Sequence, residues 1–404
     1  MAGKFHLRNM IKEGISDVFY IWKEELKNVF KDGGVIVFFF LVPFAYPLVY
    51  SFIYNNEVVH EAKMVAVDDS DTYLSREFIR RVNASADVRV VGVCKDMDEA
   101  KRMLDEKEAY GILYFPSEFS RDLNSGRQTN VSLYADMSGL LFYKAFLLAA
   151  TEVSFDLGKE YVSALNPADS RQAEAIQINP IPYESITLYN SQLGFASFLV
   201  PAILILVIQQ TLILGIGMLG GTAREKNELH TLIPSDSHFR GTLRIVLGKS
   251  LSYMVLYIIV CIWVIAIVPR LFAFPQVGNP GVILLFLLPF LAASIFFAMT
   301  LSGFMTSRES PMLVFVFTSV ILLFLTGVSW PKEAIPEFWR VLGCLSPSTP
   351  GVQGFIRINT SGASLNEVAN EYRLLWIQAG IYFISACIIY RYQIIRSLKS
   401  KPVI

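Results

Sequence analysis

Histidine and cysteine are scarce in this chain, four of each in 404 residues, and neither is grouped. Cys94, Cys261, Cys344 and Cys387 are too scattered for a disulfide framework or a zinc cluster, and two of them fall inside apolar runs. No Ser/His/Asp arrangement and no metal-ligand spacing occurs, and the acidic turn Asp68-Asp69-Ser70-Asp71 has no histidine beside it. Charge is scarce as well. Asp, Glu, Lys and Arg supply 17% of the chain, against about 25% in soluble proteins. Acids and bases cancel to a formal net charge of zero, which offers no basic surface to nucleic acid.

A nucleotide-binding loop is missing too. Gly215-Ile216-Gly217-Met218-Leu219-Gly220 spells the dinucleotide pattern but lies inside an apolar run, where small residues serve helix–helix contact. Gly220-Gly221-Thr222 lacks the phosphate-binding lysine, and Gly248-Lys249-Ser250 has Leu243 where the first glycine belongs. Bond-making chemistry is not expected of this chain.

Hydrophobic residues, at 53%, are what the chain has in quantity. Gly33–Tyr54 holds 22 residues with no Asp, Glu, Lys or Arg. As a helix it would reach about 33 Å, enough to cross a bilayer, and a span tolerates Pro43 and Pro47. No small-x-small cleavage pattern follows it, so it reads as a retained span rather than a signal peptide. Five further runs, Leu193–Gly221, Ile245–Val268, Gly281–Gly303, Met312–Trp330 and Leu374–Tyr390, have spanning length. Lys249, near the inner end of the third span, is expected to snorkel to the interface. The expected fold is an α-helical polytopic membrane protein with six transmembrane helices, an inserted extracytoplasmic α/β domain and an amphipathic interfacial helix at the N-terminus.

That helix covers residues 1–32, where Ile11, Ile15, Val18, Phe19, Trp22, Leu26, Val29 and Phe30 trace one stripe. Phe19, Trp22 and Phe30 would sit in the membrane interface; packing on other protein is the competing use of such a stripe. After the first span at 33–54, residues 55–190 turn polar. Strands near Val65–Val67, Val88–Val93, Gly111–Phe115 and Val131–Tyr134 alternate with helical stretches at Arg76–Val82 and Met97–Lys107, followed by a long helix at Gly139–Leu165. This is the pattern of a small α/β domain. The remaining spans occupy 191–393, with a tail at 394–404. Fifteen Lys and Arg fall on the side of both termini, against five in the opposite short loops. Both termini are therefore expected in the cytoplasm and the α/β domain outside.

Two loops depart from solvated composition. The segment 223–234 reads as a short charged helix with apolar Leu229, Leu232 and Ile233, suited to a partner's groove. Gly327, Trp330, Pro331, Pro336, Trp339 and Pro347 mark an outer re-entrant hairpin at 331–350, too rich in proline to span. Within the spans, Gln209, Gln210, Thr211, Thr318, Ser319 and Thr326 are candidates for a translocation path, and no intramembrane charge pair is evident.

The chain resembles permease subunits of type-2 ABC exporters (the ABC-2 family), in the branch with a large domain between the first two spans. The resemblance runs through Glu25-Leu26-Lys27, Phe30-Lys31-Asp32 and Pro43, and then Val65-Ala66-Val67-Asp68 and Ala109–Pro116 with Phe119 and Ser120. It continues through Val131–Asp136, Gly327–Pro336, Leu345-Ser346-Pro347, Phe355-Ile356-Arg357 and Gly362. It implies a second permease subunit, identical or similar, over two separate ABC ATPase subunits that carry the ATP and magnesium; the permease needs no cofactor of its own. It places the ATPase contact at Arg224, Glu225, Lys226, Glu228, His230 and Leu232. Glu228-Leu229-His230-Thr231 replaces the family's glycine-threonine turn there. The external domain would cap the exit or hand cargo to a periplasmic adaptor and outer-membrane conduit, in a bacterial inner membrane. An amphiphilic, drug-like or lipid-like cargo suits such spans. The rival reading is a membrane-anchored sensor or scaffold whose external domain binds a ligand.

Overall fold

A computed structural model describes residues 2–54, 58–125, 127–137, 139–165, 188–190, 194–226 and 242–399. The chain divides into two compact units, Met1–Asn55 with Leu188–Ile404, and Asn56–Thr187.

The smaller unit is built on a four-stranded sheet of β1 (Ala62–Asp68), β2 (Val88–Cys94), β3 (Gly111–Phe115) and β4 (Ser132–Ala135), in the order β2-β1-β3-β4. The first three strands are parallel and β4 runs antiparallel to β3. β1 is central and apolar on both faces, as a strand covered by helices on each side must be. On one face, Met64, Leu113 and Phe115 pack against α3 (Tyr73–Asn83), α5 (Phe119–Asn124) and α6 (Leu140–Leu165). On the other, Val65, Val67 and Ile112 pack against Ala100, Met103 and Leu104 of α4 (Met97–Asp105). The acidic turn serves this architecture: Asp68 accepts the backbone N–H groups of Ser70 and Asp71 and the hydroxyl of Ser75, next to the Thr72 cap of α3. Among the described residues, no group of three or more His, Cys, Asp or Glu is placed to hold a metal.

The larger unit is helical. α1 (Ala2–Lys31) precedes α2 (Gly33–Tyr54), and α7 (Phe195–Glu225), α8 (Thr242–Leu271) and α9 (Pro280–Ser302) follow. α10 (Ser310–Leu325), α11 (Glu337–Gly343), α12 (Ser348–Ser361) and α13 (Ala369–Lys399) complete it. Five of these helices, α2, α7, α8, α9 and α13, are long and apolar enough to cross a membrane. The sixth run expected to span forms α10, whose 16 residues reach only about 24 Å. It stops at Leu325, two residues before Gly327 turns into the left-handed region at φ +84°.

α7 is the axis of this unit, with almost every side chain from Val200 to Met218 buried. Its glycines are a contact face, as their setting in an apolar run suggested. A Cβ on Gly215 would lie 1.8 Å from the Phe39 ring, and one on Gly221 only 2.1 Å from the Ser307 carbonyl oxygen. Backbones approach this closely only where a side chain is missing.

Candidate functional site

α1 is keyed to α8 by charge. Asp17, Ile21, Glu25 and Val29, spaced four apart, form the buried stripe of α1. Glu25 Oε2 meets Lys249 Nζ of α8 at 2.9 Å, and both side chains are 3% exposed. The Tyr253 hydroxyl donates to the other Glu25 oxygen, and the Tyr390 ring lies 5.9 Å from the Lys249 ammonium. Asp17 pairs with Arg244, five residues before Lys249 on α8. Between these pairs the helices close on each other: a Cβ on Gly248 would lie 2.7 Å from Ile21. The Ser252 hydroxyl also donates to the Trp22 carbonyl at 2.9 Å.

Two sequence expectations are corrected here. Lys249 does not snorkel to the interface, and a buried charge pair does exist inside the apolar bundle. The reason is the same for both: Glu25, contributed by a helix more than two hundred residues earlier, satisfies the ammonium in place. The packed face of α1 is offset from the apolar stripe read from the sequence and shares Val29 with it. Phe19 and Phe30 remain exposed, at 56% each, and Trp22 is half-buried. α1 therefore has one face fastened to protein and another left apolar and uncovered.

A second cluster joins the end of α7 to the turn between α9 and α10. Arg224 donates to the Met305 carbonyl at 2.8 Å and to the Gly303 carbonyl, both just past the C-terminal end of α9, where acceptors lack helical partners. Glu225 accepts the Arg308 N–H at 3.1 Å. The Arg308 guanidinium in turn pairs with Asp32 at 2.6 Å, while Asp32 also caps α2 through Gly34 and Val35. Arg224 and Glu225 are thus engaged within the fold, and Lys226 is exposed. Glu228, His230 and Leu232 lie outside the described residues.

The third cluster is a polar row inside the bundle. Gln209, Gln210 and Thr211 are buried on α7, at 0%, 3% and 1% exposure. Gln209 Nε2 donates to Ser346 Oγ at 2.8 Å, and Ser346 meets Ser348 at 2.8 Å. Thr211 returns its proton to the Val207 carbonyl and accepts the Tyr257 hydroxyl at 3.0 Å. Among the described residues, neither polar atom of the Gln210 carboxamide has a partner, nor do the Gln209 and Gln378 side-chain oxygens. Thr326 is drawn in through its carbonyl, which accepts from Gln353 at 3.0 Å. Thr318 and Ser319 are not: their hydroxyls bond back to Val314 and Val316 on α10 itself.

The outer segment divides in two. Trp330, Pro331, Pro336 and Trp339 are exposed, Pro331 opening a 3-10 turn and Pro336 leading into α11. Pro347 is buried and opens α12, which packs into the bundle with Gly351 and Gly354 against Phe290 and Phe286. The buried part of this region is α12, C-terminal to most of the hairpin marked by the prolines.

A family model of ABC-2 family transporter proteins matches residues 34–388. The chain belongs to the ABC-2 transporter family. Among curated relatives, the "Probable multidrug ABC transporter permease YbhR" of Escherichia coli (strain K12) is 20% identical over 359 residues, 88% of this chain and 92% of that permease. The "Linearmycin resistance permease protein LnrN" of Bacillus subtilis (strain 168) is 20% identical over 365 residues, 85% of this chain and 92% of that protein. ABC-2 membership implies an ABC ATPase partner, and the permeases of such transporters are not themselves catalytic. In this ABC-2 permease, sequence reasoning found the polar row on α7 but not the ion pairs of Asp17, Glu25 and Asp32, the last two noted only for their family resemblance. The available signal was the four-residue spacing of Asp17, Ile21, Glu25 and Val29, together with a lysine deep in an apolar run.

Proposed function

We propose that this chain is the membrane-spanning half of an ATP-driven exporter, moving an amphiphilic, drug-like or lipid-like substrate out of the cytoplasm or inner leaflet. The observation that carries the reading is the row Gln209-Gln210-Thr211, with unmet hydrogen-bonding capacity at the buried axis of an ABC-2 bundle. Each unmet buried polar atom costs about 1–3 kcal/mol. That cost is relieved if another state of the bundle opens the row to water and to the polar part of a cargo. Transport then follows from unequal affinity for cargo in the two states.

In this reading α10 and its flanking turns complete a sixth span, both termini are cytoplasmic, and the α/β unit is extracytoplasmic in a bacterial inner membrane. Two permease subunits, identical or paired, stand over two separate ATPases, with an adaptor and outer-membrane conduit as further partners. ATP-driven closure of the ATPases pushes on 223–234. Arg224 and Glu225 transmit the push to the α9–α10 turn, and the Glu25–Lys249 pair makes α1 follow α8.

Co-purification in mild detergent, followed by identification of any bound ABC ATPase, tests this. Leu232→Ala with Lys226→Glu should lose ATPase binding or transport-coupled hydrolysis while keeping the wild-type melting temperature. If the wild-type chain binds no ATPase, export fails and the sensor or scaffold reading takes its place. Sidedness needs a separate probe, because Cys94 is buried and its thiol points at Met103. Tyr73, 77% exposed, is suitable. Tyr73→Cys in an otherwise cysteine-free chain should react with an impermeant thiol reagent before the inner membrane is broken.

A further inference from the structure

Away from the polar row, α8 and α9 enclose a groove of about 680 Å³, within the range of small-molecule sites. Ile258 and Ile262 of α8 and Leu284, Leu287 and Leu291 of α9 form its apolar length. Ile262 and Leu284 are more than half exposed, so the groove is open along one side. Its shape has a local cause. The stretch Ile262–Ile267 is a π-helical turn, wider than the α-helix around it. Pro269 then has no N–H to give the Ile265 carbonyl. Gln276 supplies the missing donor through Nε2 at 2.8 Å and reaches Asn359 Oδ1 at 3.2 Å. The rim at this end is thereby braced, and the Gln276 amide is already committed.

Arg270 stands at the same end. Among the described residues it is the only charged one lining the groove, and it is exposed with no protein partner. From Ile258 to Arg270 the helical rise gives about 18 Å, close to the roughly 15 Å depth of one leaflet's hydrocarbon. An apolar trough of one-leaflet depth, with the Arg270 guanidinium unpaired among the described residues at its mouth, matches one chemistry. We propose that this groove binds an anionic membrane phospholipid, its phosphate paired with Arg270 and one acyl chain lying along Ile262, Leu284 and Leu287. The inference goes beyond export, since the groove would hold lipid whether or not that lipid is cargo.

The test uses the full chain in nonionic detergent, with native mass spectrometry in the presence of phosphatidylglycerol or phosphatidylcholine of identical acyl chains. Phosphatidylglycerol should bind roughly tenfold more tightly, the scale of one charge-assisted contact. Arg270→Gln should erase that preference, so that the two lipids bind alike, and an unchanged melting temperature shows that the variant is folded. Leu284→Trp, which fills the trough, should lose both lipids. Retained headgroup preference in Arg270→Gln, or retained binding of both lipids in Leu284→Trp, overturns the proposal. So does efficient cross-linking of two copies through a cysteine at position 284, which would give the face to a second subunit. None of these outcomes depends on ATPase binding, so the groove and the export reading fail separately.

Discussion

The two units treat charge in opposite ways. In the α/β unit the ion pairs reach solvent through their basic members, while the Glu77 carboxylate is itself buried. Glu77 bridges Arg80 and Arg81, Arg81 reaches Glu160 at 2.8 Å to tie α3 to α6, and Lys107 meets Asp136 at 2.7 Å. Water reaches the exposed members in the folded and unfolded chain alike, so the Arg81–Glu160 and Lys107–Asp136 pairs add little. In the helical unit Glu25 and Lys249 are sealed among Tyr253, Tyr390 and apolar side chains. Such a pair adds little net stability over an apolar replacement, yet losing one member strands the other charge. The difference teaches where charge specifies arrangement. On the sheet it trims an interface that apolar packing already defines, whereas between α1 and α8 it determines which faces meet.

The largest effect is expected from breaking the buried pair. Lys249→Met should destabilise the helical unit by about 3–5 kcal/mol, because the Glu25 carboxylate is left without its cation. Thermal unfolding in detergent measures it. The double variant Glu25→Leu with Lys249→Met should recover most of the loss; equal damage in single and double variants would mean the pair is not coupled. Next comes Gly221→Ala. Its Cβ would meet the Ser307 carbonyl, so the α7 contact must open, at about 1–3 kcal/mol. The same measurement on Gly158→Ala, a position with nothing within 4 Å, should show no such loss.

A smaller effect concerns acid. Hydrogen bonds from Arg80 and Arg81 hold the Glu77 carboxyl down to about 2, from an ordinary 4.5. A carboxyl lowered on folding adds stability that is present above its unfolded value and disappears as pH falls through the folded one. The contribution of Glu77 should therefore be intact above about 4.5 and vanish towards about 2. Glu77→Gln should flatten that part of the acid limb, read by limited proteolysis of α3 across pH. The smallest effect is expected of Lys107→Ala. Its ammonium is raised by the Asp136 hydrogen bond, but the pair is solvated, and its removal should leave the unfolding midpoint nearly unchanged.

Much of the α/β unit was legible because its signals are local. β3 ends where Pro116 withdraws a donor, and the spacing of Ala100, Met103 and Leu104 marks α4. α5 was too short, at six residues, to show a period. In the helical unit the runs without charge were legible as long apolar helices, while the end of α10 turned on the backbone angle of Gly327.

By itself, the sequence determined which stretches avoid water, which alternate with the sheet, and where glycines permit close approach. These are properties of neighbours within a few residues, where periodicity and missing charge act directly. Only the tertiary structure decided that Asp17 belongs to Arg244, Glu25 to Lys249 and Asp32 to Arg308. It also decided that Arg224 and Glu225 bond to the α9–α10 turn, and that Arg270 has no such partner among the described residues. The physical reason is distance along the chain. A carboxylate and its cation separated by more than two hundred residues leave no local pattern. Which of several bases a buried acid meets is settled by how the helices pack around α7.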